Sequence, residues 1–223
     1  NKESTMNWKI IDFNKISGEK PFNTYFDALN RYKFNQIVTY NKDIFFLLGD
    51  DSGENTDSPS AVVYRSIDFG NTLHKTTLGK GSIKEGVFVE KNLFVVLENN
   101  EFIEGANKTT STLFLSKDFG ETWIEIKHFD ESISRINFYN DKTGIAYFYN
   151  QIIDREEYRY TIDGGKTWTK FEINNQNFDS LTNCLFRANN IVWFISDSNL
   201  MSYNLITKEL KTEKMDLFIF LAS

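Results

Sequence analysis

Short apolar runs broken by turn-forming residues recur along the whole chain. Three units share one grammar: runs at 34–40, 44–49, 61–66 and 73–78, then 83–90, 93–98, 112–116 and 123–128, then 133–139, 144–150, 157–162 and 168–173. The runs are too short, too aromatic and too close to turn residues for helices, so each predicts a strand, and each unit one four-stranded antiparallel sheet. A fourth unit spans 180–214, with Ile191-Val192-Trp193-Phe194-Ile195 as its second strand, Leu200-Met201-Ser202-Tyr203 as its third and a turn over 204–209. Apolar residues also stand at both ends, in Trp8-Lys9-Ile10-Ile11-Asp12-Phe13 and in Leu217-Phe218-Ile219-Phe220-Leu221. A fifth, closing sheet would combine 215–223 with 1–13. Between it and the first unit, 17–33 reads as a loop with a short helical turn at 26–31.

The turn between the third and fourth strands carries a fixed pattern. Ser116-Lys117-Asp118-Phe119-Gly120-Glu121-Thr122-Trp123 is preceded by Ser66-Ile67-Asp68-Phe69-Gly70-Asn71-Thr72-Leu73 and followed by Thr161-Ile162-Asp163-Gly164-Gly165-Lys166-Thr167-Trp168. An aspartate here can accept backbone N–H groups across the turn. Gly70, Gly120 and Gly165 supply a positive φ that a Cβ resists. Trp123 and Trp168 can bury a large ring with the N–H at a polar edge. The aspartates are 50 and 45 residues apart, a period that belongs to repeated supersecondary units.

This pattern resembles the Asp-box (BNR) repeat of sialidase-type β-propellers, with Leu73 in place of Trp and Thr161 in place of Ser. The resemblance implies an all-β propeller of four-stranded antiparallel blades at 34–78, 83–128, 133–173 and 180–214, closed by 215–223 with 1–13. Five blades are expected, with a truncated six or seven as the alternative. Ser66, Asp68, Gly70, Ser116, Asp118, Gly120, Trp123, Asp163, Gly165 and Trp168 are then fold residues and not catalytic ones. Asp-box propellers are known mainly from extracytoplasmic settings. Together with a start at Asn1, this implies a secreted or periplasmic protein.

Composition narrows the function. The chain has 223 residues, 21 Phe, 10 Tyr and only 2 Pro, which suits half-buried strands. A net charge of −6 and a pI near 5.1 are the wrong sign for a nucleic-acid partner. No apolar run is long enough to span a membrane as a helix. A lone Cys184 excludes an internal disulfide and a thiolate metal cluster, and in an apolar run it reads as a packed small side chain. His74 and His128 stand singly beside the fourth strands.

The acids are not spread evenly. The connections from second to third strand carry Asp50, Asp51, Glu54 and Asp57, then Glu98, Glu101 and Glu104, then Asp154, Glu156 and Glu157, and in the fourth unit Asp197. Only Lys108 and Arg155 oppose them there. Read as exposed loops, these acids form a face that would steer and dock a basic protein. The plain alternative is a solvated acidic surface. Asp50 to Asp57 could also collect Ca²⁺, but such a site needs six to eight oxygens in fixed geometry, and no cofactor is expected.

An enzyme is the less favoured reading. Sialidases that resemble this repeat use three arginines on inner strands, a tyrosine nucleophile with a glutamate, an aspartate acid/base and an Arg-Ile-Pro motif. None of Arg31, Arg65, Arg135, Arg155, Arg159 and Arg187 precedes Ile-Pro, and Arg65 and Arg159 fall on third strands. No nucleophile elbow, P-loop or zinc-protease motif is present. The expected function is non-catalytic binding of a basic protein through the acidic face, as in a secreted bacterial assembly factor or a toxin-neutralising immunity protein. The alternative is a glycan-binding module or diverged glycosidase using Tyr139, Tyr147, Tyr149 and Trp193 as sugar platforms, set against their packing between blades.

Overall fold

A computed structural model describes residues 32–52, 59–103, 105–150, 155–171, 185–188, 190–196 and 199–213. Expectations for 1–13, 17–31, Cys184, Asp197 and 215–223 lie outside them, so the closing fifth sheet does too; Tyr32 and Lys33, expected at the end of a loop, are strand residues paired with Asp51 and Asp50.

All regular structure among the described residues is β. The strands are β1 (Tyr32–Thr39), β2 (Phe45–Asp51), β3 (Ser60–Ser66), β4 (His74–Lys80), β5 (Ser82–Val89), β6 (Asn92–Ile103), β7 (Ala106–Ser116) and β8 (Ile124–Phe129). They continue as β9 (Ser132–Phe138), β10 (Gly144–Asn150), β11 (Arg155–Thr161), β12 (Thr169–Lys170), β13 (Leu185–Ala188), β14 (Ile191–Ser196), β15 (Asn199–Asn204) and β16 (Leu210–Glu213). Each successive four make one antiparallel sheet in sequence order. This is the expected meander, and it is the blade of a β-propeller. No helix among the described residues is long and apolar enough to cross a membrane.

The chain divides into two compact units, 1–83 and 84–223. In the first, Leu47, Val62, Tyr64 and Leu73 form a buried cluster on one side of the sheet, with Phe34 and Phe45 packed against it. Leu73 thus fills the position that Trp holds in the other two repeats.

In the second unit the sheets stack face to face. Phe94, Val96, Leu113 and Leu115 of the second sheet pack against Ile133, Ile136, Ala146 and Phe148 of the third. The opposite side of the third sheet gives Ile145 and Tyr160 to a cluster with Val192, Phe194 and Tyr203 of the fourth. The middle strands of the third sheet are therefore covered on both faces, and in the second sheet Leu93-Phe94-Val95-Val96-Leu97, buried at every position, is a continuous apolar run instead of an alternating one. Polar ties cross the same gap. Ser111 Oγ accepts the Ile133 N–H at 2.8 Å, and Glu85 accepts the Ile136 N–H at 2.7 Å. Burial pushes the Glu85 carboxyl above its ordinary value, against the Ile136 hydrogen bond and Arg135, which favour its charged form.

Two expected loops are strand instead. Residues 98–110 were expected as a connection, yet β6 and β7 stay paired through Glu98↔Ser111 and Glu101↔Lys108 to Ile103↔Ala106. Gly105, at φ +83°, turns the chain there. Asn99, Asn100 and Glu101 read as loop residues in one dimension, but cross-strand pairing with Thr109 and Thr110 overrides that local preference. Likewise Arg155, Glu156 and Glu157 belong to β11, opposite Asn150, Tyr149 and Phe148.

Candidate functional site

The three repeat turns share one hydrogen-bond network, built within a few residues. Ser66 Oγ donates to Asp68 Oδ1 at 2.9 Å and accepts the Gly70 N–H at 2.7 Å. Asp68 in turn accepts the Thr72 N–H at 2.9 Å and the Thr72 hydroxyl at 2.8 Å. Ser116, Asp118, Gly120 and Thr122 repeat these bonds at 2.9, 2.7, 2.9 and 2.5 Å. Thr161, Asp163, Gly165 and Thr167 do so at 2.8, 2.9, 2.9 and 2.6 Å. The Thr72 bonds hold the Asp68 carboxyl down at about 2, and the Thr122 bonds do the same for Asp118, also about 2. Burial opposes this at Asp163, but the Thr167 and Thr161 bonds still leave it below the usual carboxylate range. Both carboxylate oxygens of each of these aspartates are committed to the backbone or a hydroxyl, which is a fold role.

Two residues per turn are left-handed. Gly70, Gly120 and Gly165 have φ of 76°, 81° and 90°, and the residue before each is at 58° in Phe69, 55° in Phe119 and 77° in Gly164. The first two copies therefore carry a phenylalanine where the backbone favours glycine. Trp168 donates its Nε1–H to Gly165 O at 2.8 Å and lies edge-on to Phe129, Phe138 and Phe148. Trp123 is half-buried, with Nε1 buried and making no hydrogen bond.

The opposite end of the sheets holds the acids singled out above. Asp50 and Asp51 are buried at the end of β2, at 8% and 7% exposure. Asp51 binds Lys75 Nζ at 2.6 Å, while Asp50 Oδ1 is buried without a hydrogen-bond partner. Glu98, 7% exposed, lies 3.0 Å from Lys84 Nζ and accepts the Ser132 hydroxyl at 2.6 Å. Glu157 is held by Arg159 and, at 2.6 Å, by Lys170. Burial works against that carboxylate, yet these hydrogen bonds keep it below its ordinary range. Arg159 also forks onto Glu131 at 2.5 and 2.7 Å and lies 4.2 Å over the Phe148 ring. Glu101 is exposed and accepts the Asn99 amide at 3.0 Å.

Exposure is thus narrower than the run of acids suggests. Asp50, Asp51 and Glu98 are buried and Glu157 is half-buried, so the expected open loop face does not hold for them. The bases that meet them come from β4, β5, β11 and β12, which a loop-by-loop count of charge leaves out. Glu54, Asp57, Glu104 and Asp154 lie outside the described residues, and Glu156 is placed only as a strand position opposite Tyr149. Among the described residues no three of His, Cys, Asp and Glu come together as a metal site.

The aromatic candidates do not converge. Tyr139 is 45% exposed at the repeat-turn end. Tyr149 is half-buried at the other end of the sheet, and Tyr147 packs its ring on Tyr158 at 4.7 Å. Of the histidines, His128 pairs with the Thr112 hydroxyl at 2.9 Å.

No protein-family model matches the chain. No curated protein matches it either. One similar solved structure is that of YCF48 bound to D1 peptide, with a TM-score of 0.48 and 14% identity. It covers 82% of this chain, which spans 55% of that chain's length.

Proposed function

We propose that this chain is a non-catalytic, protein-binding propeller of the Asp-box kind, and that it docks a basic protein at the β6–β7 and β10–β11 end of the sheets of its second unit. One observation carries the reading. At that end Glu101 is exposed and Asp130 is 77% exposed, while Glu131 and Glu157 are half-buried. The repeat turns, by contrast, spend their aspartates internally. A secreted or periplasmic assembly factor, or an immunity protein that covers a basic toxin, fits this chemistry.

The test is affinity capture from the source cell's extract at low salt and at about 0.5 M salt, where charge steering is screened. The purified partner is then titrated against Glu101→Gln/Glu104→Gln and, separately, Asp130→Asn. A basic partner whose binding falls with salt and with either variant supports the reading. Binding unchanged by both variants and by salt would remove the acidic end from the account.

A further inference from the structure

The second sheet differs from the first and third in one respect. Its middle strands, β6 and β7, run for 12 and 11 residues, against 7 for β2, β3, β10 and β11. The extra length leaves the core as a projecting hairpin. Leu97 and Glu98 are buried, but 100–103 and 105–108 are exposed. Pairing runs unbroken to Ile103↔Ala106, where the chain turns through Gly105. Side chains brace the two strands against slipping. The Thr109 hydroxyl donates to Asn100 Oδ1 at 2.6 Å, and Lys108 Nζ lies 2.8 Å from Asp130. This is a shaped projection and not a slack loop.

The tip of the hairpin is apolar on both sides. Phe102 is 74% exposed and Ile103 44%. Register sets them on opposite faces, Phe102 with Asn107 and Ile103 with Ala106. The Phe102 face is that of Glu98 and Ser111, which bond to Ser132 and Ile133 of the third sheet lower down. The Ile103 face carries Glu101 and Lys108. Shape then narrows the partner, because a flat surface covers one face of a hairpin and only a slot covers both. Charge narrows it further. Glu101 is exposed and Asp130 is 77% exposed, while Lys108 is already paired with Asp130. An anionic lipid surface would meet these acids with like charge, whereas lysine or arginine at the rim of a slot would complement them.

We infer that the β6–β7 hairpin is an insertion finger. Phe102 and Ile103 enter an apolar slot in the partner protein, and Glu101 and Asp130 meet lysine or arginine at the rim of that slot. A few anchors buried at the centre of an interface carry most of its affinity, and rim charges mainly set the rate of approach. The inference rests on the protein-docking reading above. It names the element that enters the partner and the shape and chemistry of the site that receives it.

The test replaces Phe102 in the whole chain by the photoreactive analogue p-benzoylphenylalanine, with the same replacement at the exposed Phe69 of the repeat end as control. Each chain is irradiated in the source cell's extract. The chain altered at Phe102 is expected to form an adduct with one protein, mapped to an apolar segment flanked by lysine or arginine, and the control to form none with it. That protein should bind Phe102→Ser/Ile103→Ser about tenfold more weakly, the scale of a lost anchor contact. The double variant removes only exposed side chains, so its melting temperature should match the wild type. No adduct at Phe102 overturns the proposal. So does an adduct with lipid or with a second copy of this chain, and so does a partner that binds the double variant undiminished. If that undiminished partner still responds to salt and to Glu101→Gln/Glu104→Gln, the finger is wrong and the docking reading stands. Binding lost in the double variant yet indifferent to salt and to the acid variants would remove the acidic reading and keep the slot.

Discussion

At one end of the sheets, turns repeat. Asp68, Asp118 and Asp163 each close the same network, and in the first, third and fourth sheets the turn is pinned to the neighbouring first hairpin: Phe69 N–H to Asp43 O, Gly164 N–H to Lys142 O, and Leu205 N–H to Asn190 O. Asn41 and Asn140 brace those hairpins by accepting two backbone N–H groups apiece. At the other end nothing repeats. One hairpin is a long ribbon, acids are buried at strand ends, and their partners come from distant strands. Uniform local bonding marks the end that builds the fold. Varied, long-range pairing marks the end that is free to specialise.

The strongest attack on the repeat end is Trp168→Ala. It removes a ring packed against Phe129, Phe138 and Phe148, and urea unfolding should show a loss of about 3–5 kcal/mol. A loss near zero would mean that the ring does not join the second and third sheets. At the other end Arg159→Leu strands Glu131 and leaves Glu157 with Lys170 alone, both carboxylates being largely shielded from water. A loss of about 3 kcal/mol is expected there, because a half-buried ion network is broken and not replaced. Less than 1 kcal/mol, on the scale of an exposed pair, would mean that solvent reaches the cluster.

Glycines allow a finer comparison. Gly165 and Gly105 are both left-handed, at φ +90° and +83°. A Cβ on Gly165 would lie 2.5 Å from Leu113 Cδ2, whereas at Gly105 it meets nothing within 4 Å. Thermal melts should therefore rank Gly165→Ala at about 2–3 kcal/mol and Gly105→Ala at about 1 kcal/mol, backbone strain alone. Equal losses would break the distinction between a packed turn and a free one.

Acid should act on the repeat end. The folded-state pKa values of Asp68 and Asp118 lie below the ordinary 3.8, at about 2, so their contribution is complete above that value and fades as pH falls from about 4 toward 2. Asp68→Ala/Asp118→Ala should lower stability at pH 7 and flatten this part of the profile. An unchanged slope would mean that other carboxylates carry the acid sensitivity. The smallest effect expected is at Phe69, 52% exposed and at φ 58°. Phe69→Asn should leave stability within about 0.5 kcal/mol or raise it, since asparagine tolerates that conformation better.

Much of this fold is legible in the sequence, for a physical reason. Strand runs, turn glycines and the Ser/Thr–Asp–Thr network all depend on residues within a few positions of one another, so the letters contain the whole interaction. The acidic end is different. Glu98 looks like a loop residue until Ser132, 34 residues on, donates to it, and Asp51 until Lys75, 24 residues on, reaches it. Arg159 closes on Glu131 across 28 residues. Sequence by itself therefore determined four repeated antiparallel sheets and the role of their turns. Only the tertiary structure decided which acids are buried and paired, and that the β6–β7 hairpin stands clear of the core. Both follow from cross-strand register and sheet stacking, which couple residues that one-dimensional spacing keeps apart.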